Sequence, residues 1–124
     1  MIHHLIFAMG VMRVVLGVVP FVAAAPSSRW LGFPAAHDNA TARLMARFFG
    51  VRDVGLGVLV FYALAHPDAL PFVLVFNGLT DFGDLFAILI PLVKRQGIDR
   101  AALSSMGFAL PAGVAWLAIR AMVG

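Results

Sequence analysis

Arg13, Arg52, Asp53, Asp81 and Asp84 all lie inside otherwise apolar stretches of the chain, and their types suit general acid–base chemistry. One carboxyl can donate a proton, an ionised one can remove it, and an arginine can orient both. Three aspartates against two arginines leave one carboxylate in excess, which in a low-dielectric site is expected to hold one proton near neutral pH. Asn77, Asp81 and Asp84 follow at i, i+4 and i+7, so they project from one helix face with Thr80 on its flank. Asn77 is the candidate to position a nucleophile, while Asp81, Asp84, Asp53 and Arg52 divide the base, acid and orienting roles. Arg13, Tyr62 and Trp116 are the candidate substrate-binding residues, although the two aromatic side chains would serve equally as interface anchors or bundle packing. The competing reading is structural, with Arg13 and Arg52 neutralising Asp53 and Asp81 as packing glue.

The set is similar in its chemistry, though not in any expected fold, to limonene epoxide hydrolase, where one carboxylate activates water, another protonates the epoxide and an arginine bridges them. Acid–base isomerisation or cyclisation of an isoprenoid or sterol-like molecule needs the same parts.

The elements that must position these residues follow from composition. The chain has 124 residues, 62% of them hydrophobic and 12% charged, with a mean hydropathy of +0.98. So few charges cannot cover the surface of a soluble domain this small, so the expected solvent is lipid. Apolar runs at about 2–25, 42–65, 70–93 and 101–122 each match the roughly 20 residues that cross a bilayer. The expected fold is all-α, a bundle of four transmembrane helices in one domain over 1–124. Val22-Ala23-Ala24-Ala25 resembles a signal-peptide cleavage site, but the first run is read as a retained span. Helix starts are marked by Asp38 or Thr41, by Asp68 with Pro71 in the following turn, and by Asp99 after Gly97. At 1.5 Å per residue the five ionisable residues fall roughly 15 to 20 Å into their helices, near the bilayer midplane. Facing lipid, each would cost at least about 2.5 to 3.5 kcal/mol, so they are expected to turn inward and pair or line a wet cavity.

Small residues mark the packing faces. Gly50, Asp53 and Gly57 share one side of the second span, His3, Gly10, Arg13 and Gly17 one side of the first, and Ala101, Ser105, Ala109 and Gly113 form a ridge on the fourth. Arg52 points about 100° away from Asp53 around the helix, so the two are expected to address different neighbours. The stretch 26–41, with Arg29, Trp30, Phe33 and His37, reads as an interfacial loop. Arg29, Arg43 and Arg47 flank the first connection and Lys94, Arg95 and Arg100 the third, whereas 66–70 has no Lys or Arg. By the positive-inside rule, loops 26–41 and 94–100 face the cytoplasm, in a bacterial inner membrane. These basic residues report topology, so no nucleic-acid partner is read from them.

With no cysteine, disulfides, thiolate zinc sites and iron–sulfur clusters are excluded. Asp81-x-x-Asp84 alone is a weak Mg²⁺ pair, and His3, His4, His37 and His66 lie at helix ends or in loops, where they do not suit haem. No cofactor and no metal are expected.

The pattern Gly-x-Arg-Asp-x-x-x-Gly at 50–57, together with the acidic third span, resembles the DoxX-like families of small four-helix membrane proteins. The likeness covers the whole chain as a topology. It implies a left-handed four-helix bundle with a polar pocket at Arg52 and Asp53, and some relatives are linked to quinone oxidoreduction. The cysteines of certain DoxX-like oxidoreductases are absent here, which speaks against thiol chemistry. Small multidrug transporters centre on a first-span glutamate, and this chain has no glutamate. The resulting expectation is a membrane-embedded acid–base enzyme acting on a lipophilic small molecule by epoxide opening, cyclisation or isomerisation. Its alternatives are a non-enzymatic subunit of a larger membrane complex and a proton-coupled transporter. The expected partners are a lipophilic small molecule, membrane lipid, and a second copy or a membrane-complex neighbour.

Overall fold

The computed structural model describes residues 1–123. They form five α-helices and no strand: α1 (Ile2–Val22), α2 (Ala24–Leu31), α3 (Ala40–Ala65), α4 (Leu70–Val93) and α5 (Asp99–Val123), with single 3-10 turns at Ala35–His37 and Pro67–Ala69. Helices α1, α3, α4 and α5 are each long and apolar enough to cross a membrane. Their outer faces carry large bare side chains, such as Phe72 at 68% and Phe86 at 72% exposure. Water would drive such a surface to aggregate, whereas lipid accepts it directly, so the chain has the build of an integral membrane protein.

The expected spans match the four long helices to within a few residues, but the interfacial stretch is more ordered than a loop. The first span ends at Val22, and a separate helix follows. Pro26 fits in the first turn of α2, where a missing N–H costs no helical bond. Gly32 then stops α2 in the left-handed conformation (φ 107°), its N–H bonding back to the carbonyls of Ser28 and Arg29. Trp30 of α2 packs against Phe108 of α5, with ring centroids 5.8 Å apart, and the Arg100 side chain lies over Gly32. The cap of α3 is neither Asp38 nor Thr41 but Asn39, whose side-chain oxygen accepts from the Ala42 N–H at 2.9 Å. Asp38 instead takes two hydrogen bonds from Arg43, at 2.8 and 3.0 Å. Asp68 sits inside the 3-10 turn and does not cap α4.

Helix association in lipid rests on close packing and hydrogen bonding, because lipid tails are as apolar as leucine. Two antiparallel pairs use this. Along α1 and α3, the backbones meet at Gly17 against Gly50 and Gly10 against Gly57; a Cβ on Gly17 would lie 2.5 Å from the Gly50 carbonyl oxygen. Along α4 and α5, Gly78 receives Leu117 and Gly113 receives Phe82. The ridge of Ala101, Ala109 and Gly113 is thus buried within the chain itself, with Ser105 half-buried. The two pairs touch each other more loosely.

What joins the pairs is uneven along the bundle axis. Ile6, Val60, Leu74, Trp116 and Ile119 form an apolar core that draws on all four long helices near residues 2, 65, 70 and 123. Towards the other end, among the described residues, the buried side chains are small: Gly17, Gly50, Ala24, Ala101, Ala102 and Ala109. Between the packed end and the sparsely filled end lies the layer of charges.

Candidate functional site

Counting 1.5 Å per residue from each helix start, Arg13, Arg52, Asp53, Asp81 and Asp84 sit about 17 to 21 Å along α1, α3 and α4. The structure joins all five into one connected chain. Arg13 donates from Nη2 to Asp81 Oδ2 at 2.5 Å and from Nη1 to Asp53 Oδ1 at 3.4 Å. Arg52 grips Asp84 with two bonds of 2.8 Å and donates from Nη2 to the same Asp53 Oδ1 at 3.3 Å. The order across the bundle is therefore Asp81, Arg13, Asp53, Arg52, Asp84, alternating in sign.

Local sequence explains each position. Gly10 and Gly17 bring α1 against α3, and Arg13, half-way between them on that face, is delivered to the interior. Asp53 lies between Gly50 and Gly57 and reaches the same level from α3. Asp81 and Asp84 approach from α4 and address different arginines, which is not how a shared Mg²⁺ pair would be arranged. Among the described residues, no group of three histidine or acidic side chains converges to hold a metal ion.

Burial divides the chain of charges into an inner and an outer part. The side chains of Arg13, Asp53 and Asp81 are only 6 to 7% exposed, whereas Arg52 is 37% and Asp84 26% exposed. Trp116 of α5 closes the inner end, its ring centroid 5.5 Å from the Arg13 guanidinium carbon. Phe49 lies 4.8 Å from that of Arg52. Each guanidinium thus has carboxylate partners and an aromatic ring close by, which offset part of the cost of removing its charge from water, while the Nε of Arg52 is buried without a partner.

The sequence anticipated most of this grouping. It brings together Arg13, Arg52, Asp53, Asp81, Asp84 and Trp116. Arg52 does not avoid Asp53 as the helix geometry implied, because its long side chain swings back far enough to bond both Asp53 and Asp84. Asn77 is fully buried on the expected face, yet its amide donates to its own helix, at the Val73 carbonyl (3.0 Å), and its Oδ1 has no partner. Thr80 likewise turns its hydroxyl to the Phe76 carbonyl at 2.8 Å. Tyr62 is not brought to the site; it is 52% exposed and stacks on His66, with centroids 4.0 Å apart. Phe49 was missed, although its place three residues before Arg52 puts it on the same helix face.

A family model described as "Domain of unknown function (DUF4267)" matches residues 10–123, a span that holds every member of the charge network. The chain belongs to the DUF4267 family. No curated protein and no solved structure matches it. The site of this DUF4267 domain is therefore read from its own geometry. Two surface grooves, one along α4 at Phe86, Leu89, Ile90, Val93 and Lys94, the other between α1 and α3 at Val18, Phe21, Val51 and Val54, include none of the network residues. Outside the membrane-spanning helices, the hydrogen bond from Arg43 holds the Asp38 carboxyl below its ordinary value; desolvation opposes this, and the charges of Arg43 and Arg29 assist to a smaller extent.

Proposed function

We propose that this DUF4267 protein is a membrane-embedded acid–base enzyme acting on a lipophilic small molecule, by isomerisation, cyclisation or epoxide opening of an isoprenoid-like substrate. One observation carries the reading: five ionisable groups are connected at mid-membrane depth, with carboxylates outnumbering guanidiniums three to two and one end of the chain half-exposed. Packing glue alone needs neither an odd carboxylate nor an accessible end. In this reading Asp84, the accessible carboxylate, removes a proton from carbon or from water, and Arg52 holds Asp84 in register and polarises the substrate oxygen. Asp53 and Asp81, behind the arginines, set the charge of the site and hold Arg13 and Arg52 in place. Asn77 acts only by supporting α4.

The experiment is exchange of hydrogen from D2O into a panel of isoprenoid ketones and epoxides, followed by mass spectrometry on protein in lipid nanodiscs. Asp84→Asn is expected to lower exchange by about 10²- to 10⁴-fold, the usual contribution of a general base, while keeping the Arg52 contact through its amide oxygen. Exchange that is undiminished in the variant overturns the assignment. A second reading, proton-coupled transport, is favoured by the loose contact between the two helix pairs, which could rock about the charge layer. We place the basic loops on the cytoplasmic side of a bacterial inner membrane from their charge, and we propose a kinship with DoxX-like families from the Gly50 to Gly57 motif.

A further inference from the structure

We infer that the half-exposed Arg52–Asp84 pair is the recognition point for an uncharged, oxygen-bearing lipophile, an alcohol or carbonyl compound, that enters sideways from the bilayer between α3 and α4. Such a ligand presupposes the acid–base site described above and specifies what that site accepts.

Three observations meet here. First, the polar surface that the network presents is one donor beside one acceptor. Arg52 and Asp84 are partly exposed, and the other three members are sealed. A hydroxyl can donate to Asp84 and accept from Arg52 at once, and a carbonyl can accept from Arg52 alone. Second, the flanks are low. Gly55, one turn beyond Arg52 on the same side of α3, has open space where its Cβ would be. On α4, Thr80 and Ala87 lie four residues before and three after Asp84, and both are small. Helices α3 and α4 meet far more loosely than α1 and α3 do, and the open Gly55 position is the point on this seam where a slender chain can lie beside the ion pair. Third, the charge balance selects against ions. Arg52 is already held by both oxygens of Asp84, so neither an arriving anion nor an arriving cation finds a free counter-charge there, and a bare charge at this depth is costly. The packed core of Ile6, Val60, Leu74 and Trp116 blocks approach along the bundle axis from its own end. The exposed Gly55 and Ala87 set this seam against the bilayer at mid-membrane depth, so a ligand that reaches the pair from that side is lipid-soluble.

The test uses three photoreactive probes of equal length, an isoprenoid alcohol carrying a diazirine and its carboxylate and amine counterparts, with full-length protein in nanodiscs and crosslinks mapped by mass spectrometry. The alcohol is expected to label α3 and α4 near residues 52–59 and 80–87, at least about tenfold more than either ion, given the cost of placing a charge at that depth. Gly55→Leu fills the seam without touching the charges, and because nothing lies within 4 Å of that Cβ the fold is retained. Labelling by the alcohol is expected to fall about tenfold in this variant while its thermal midpoint is unchanged or raised. Equal or stronger labelling by the carboxylate or amine overturns the ligand class. Labelling that survives Gly55→Leu, or that maps to the Phe86 to Lys94 groove, overturns the location. An intermolecular disulfide forming efficiently in Gly55→Cys would show a second copy in the seam and overturn it too. If the alcohol labels the seam but the wild type promotes no deuterium exchange, the enzymatic reading fails and the ligand site stands.

Discussion

Replacing Arg13 by methionine removes the guanidinium that ties α1 to α4. Arg13 is 6% exposed, bonds Asp53 and Asp81, and lies against the Trp116 ring. Without it Asp81 loses its cation, and Asp53 depends on Arg52, which is already held by Asp84. Removing one partner of a buried pair costs about 3 to 5 kcal/mol, because the other is left uncompensated. The lost contact with Trp116 adds about 0.5 to 2 kcal/mol, which the fit of methionine's apolar chain partly offsets. The expected loss for Arg13→Met is therefore about 3 to 5 kcal/mol. Adding Asp81→Asn removes one of the two stranded charges, so the second substitution costs less in the absence of Arg13 than in its presence. The double variant is expected to lose less than the two single losses added together, with a coupling of about 2 to 3 kcal/mol, at the upper end for groups in one network. Reversible unfolding by SDS in mixed micelles, followed by tryptophan fluorescence, measures all four corners of the cycle. An Arg13→Met variant within about 0.5 kcal/mol of wild type, or strictly additive effects, would refute the view that this ion pair bolts the two helix pairs together.

Other outcomes follow from local geometry. Gly17→Leu must push α1 off α3, since a Cβ there meets the Gly50 carbonyl, whereas Gly55→Ala meets nothing and gains about 0.5 to 1 kcal/mol of helix propensity; SDS unfolding should order them on opposite sides of wild type. Asn39→Ala removes the cap of α3 and should cost about 1 kcal/mol in the same assay, with faster amide exchange confined to the first turn. Asp38 titrates below its ordinary range because Arg43 bonds its ionised form, so the stabilisation is present above the unfolded value and is lost as pH falls through the folded one. Carbon-13 titration of the Asp38 carboxyl should therefore show a lower midpoint in wild type than in Arg43→Met; equal midpoints would contradict the pairing.

The four long helices were legible because bilayer thickness imposes a run length that few other constraints share. The charge layer was legible because an ionisable residue at that depth must find a partner. The exact pairing was not: helix angles separate Arg52 from Asp53, but a side chain with four rotatable bonds is not confined to the direction of its Cβ. Asn77 misled for a related reason. Its place on the polar face was right, yet a buried amide takes the nearest acceptor, here a carbonyl four residues back on its own helix. Tyr62 is nine residues from Asp53, which at 100° per residue is half a turn round α3, so its exposure could have been read from the sequence. Helix α2 was hidden in a polar stretch too short for a span, where Gly32 and the contact with α5 decide the structure. The uneven core reflects how large and small residues from different helices meet, which spacing within one helix does not reveal.

The central claim is that the charge layer is a ligand site and not only a brace. The most direct measurement is an unbiased mass-spectrometric comparison of small molecules that copurify with the wild type and with Asp84→Asn, each shown to be folded by circular dichroism. An uncharged oxygenated lipophile present with the wild type and absent from the folded variant is the predicted result. The same lipids in the same amounts from both proteins would contradict it and leave the network as structural glue.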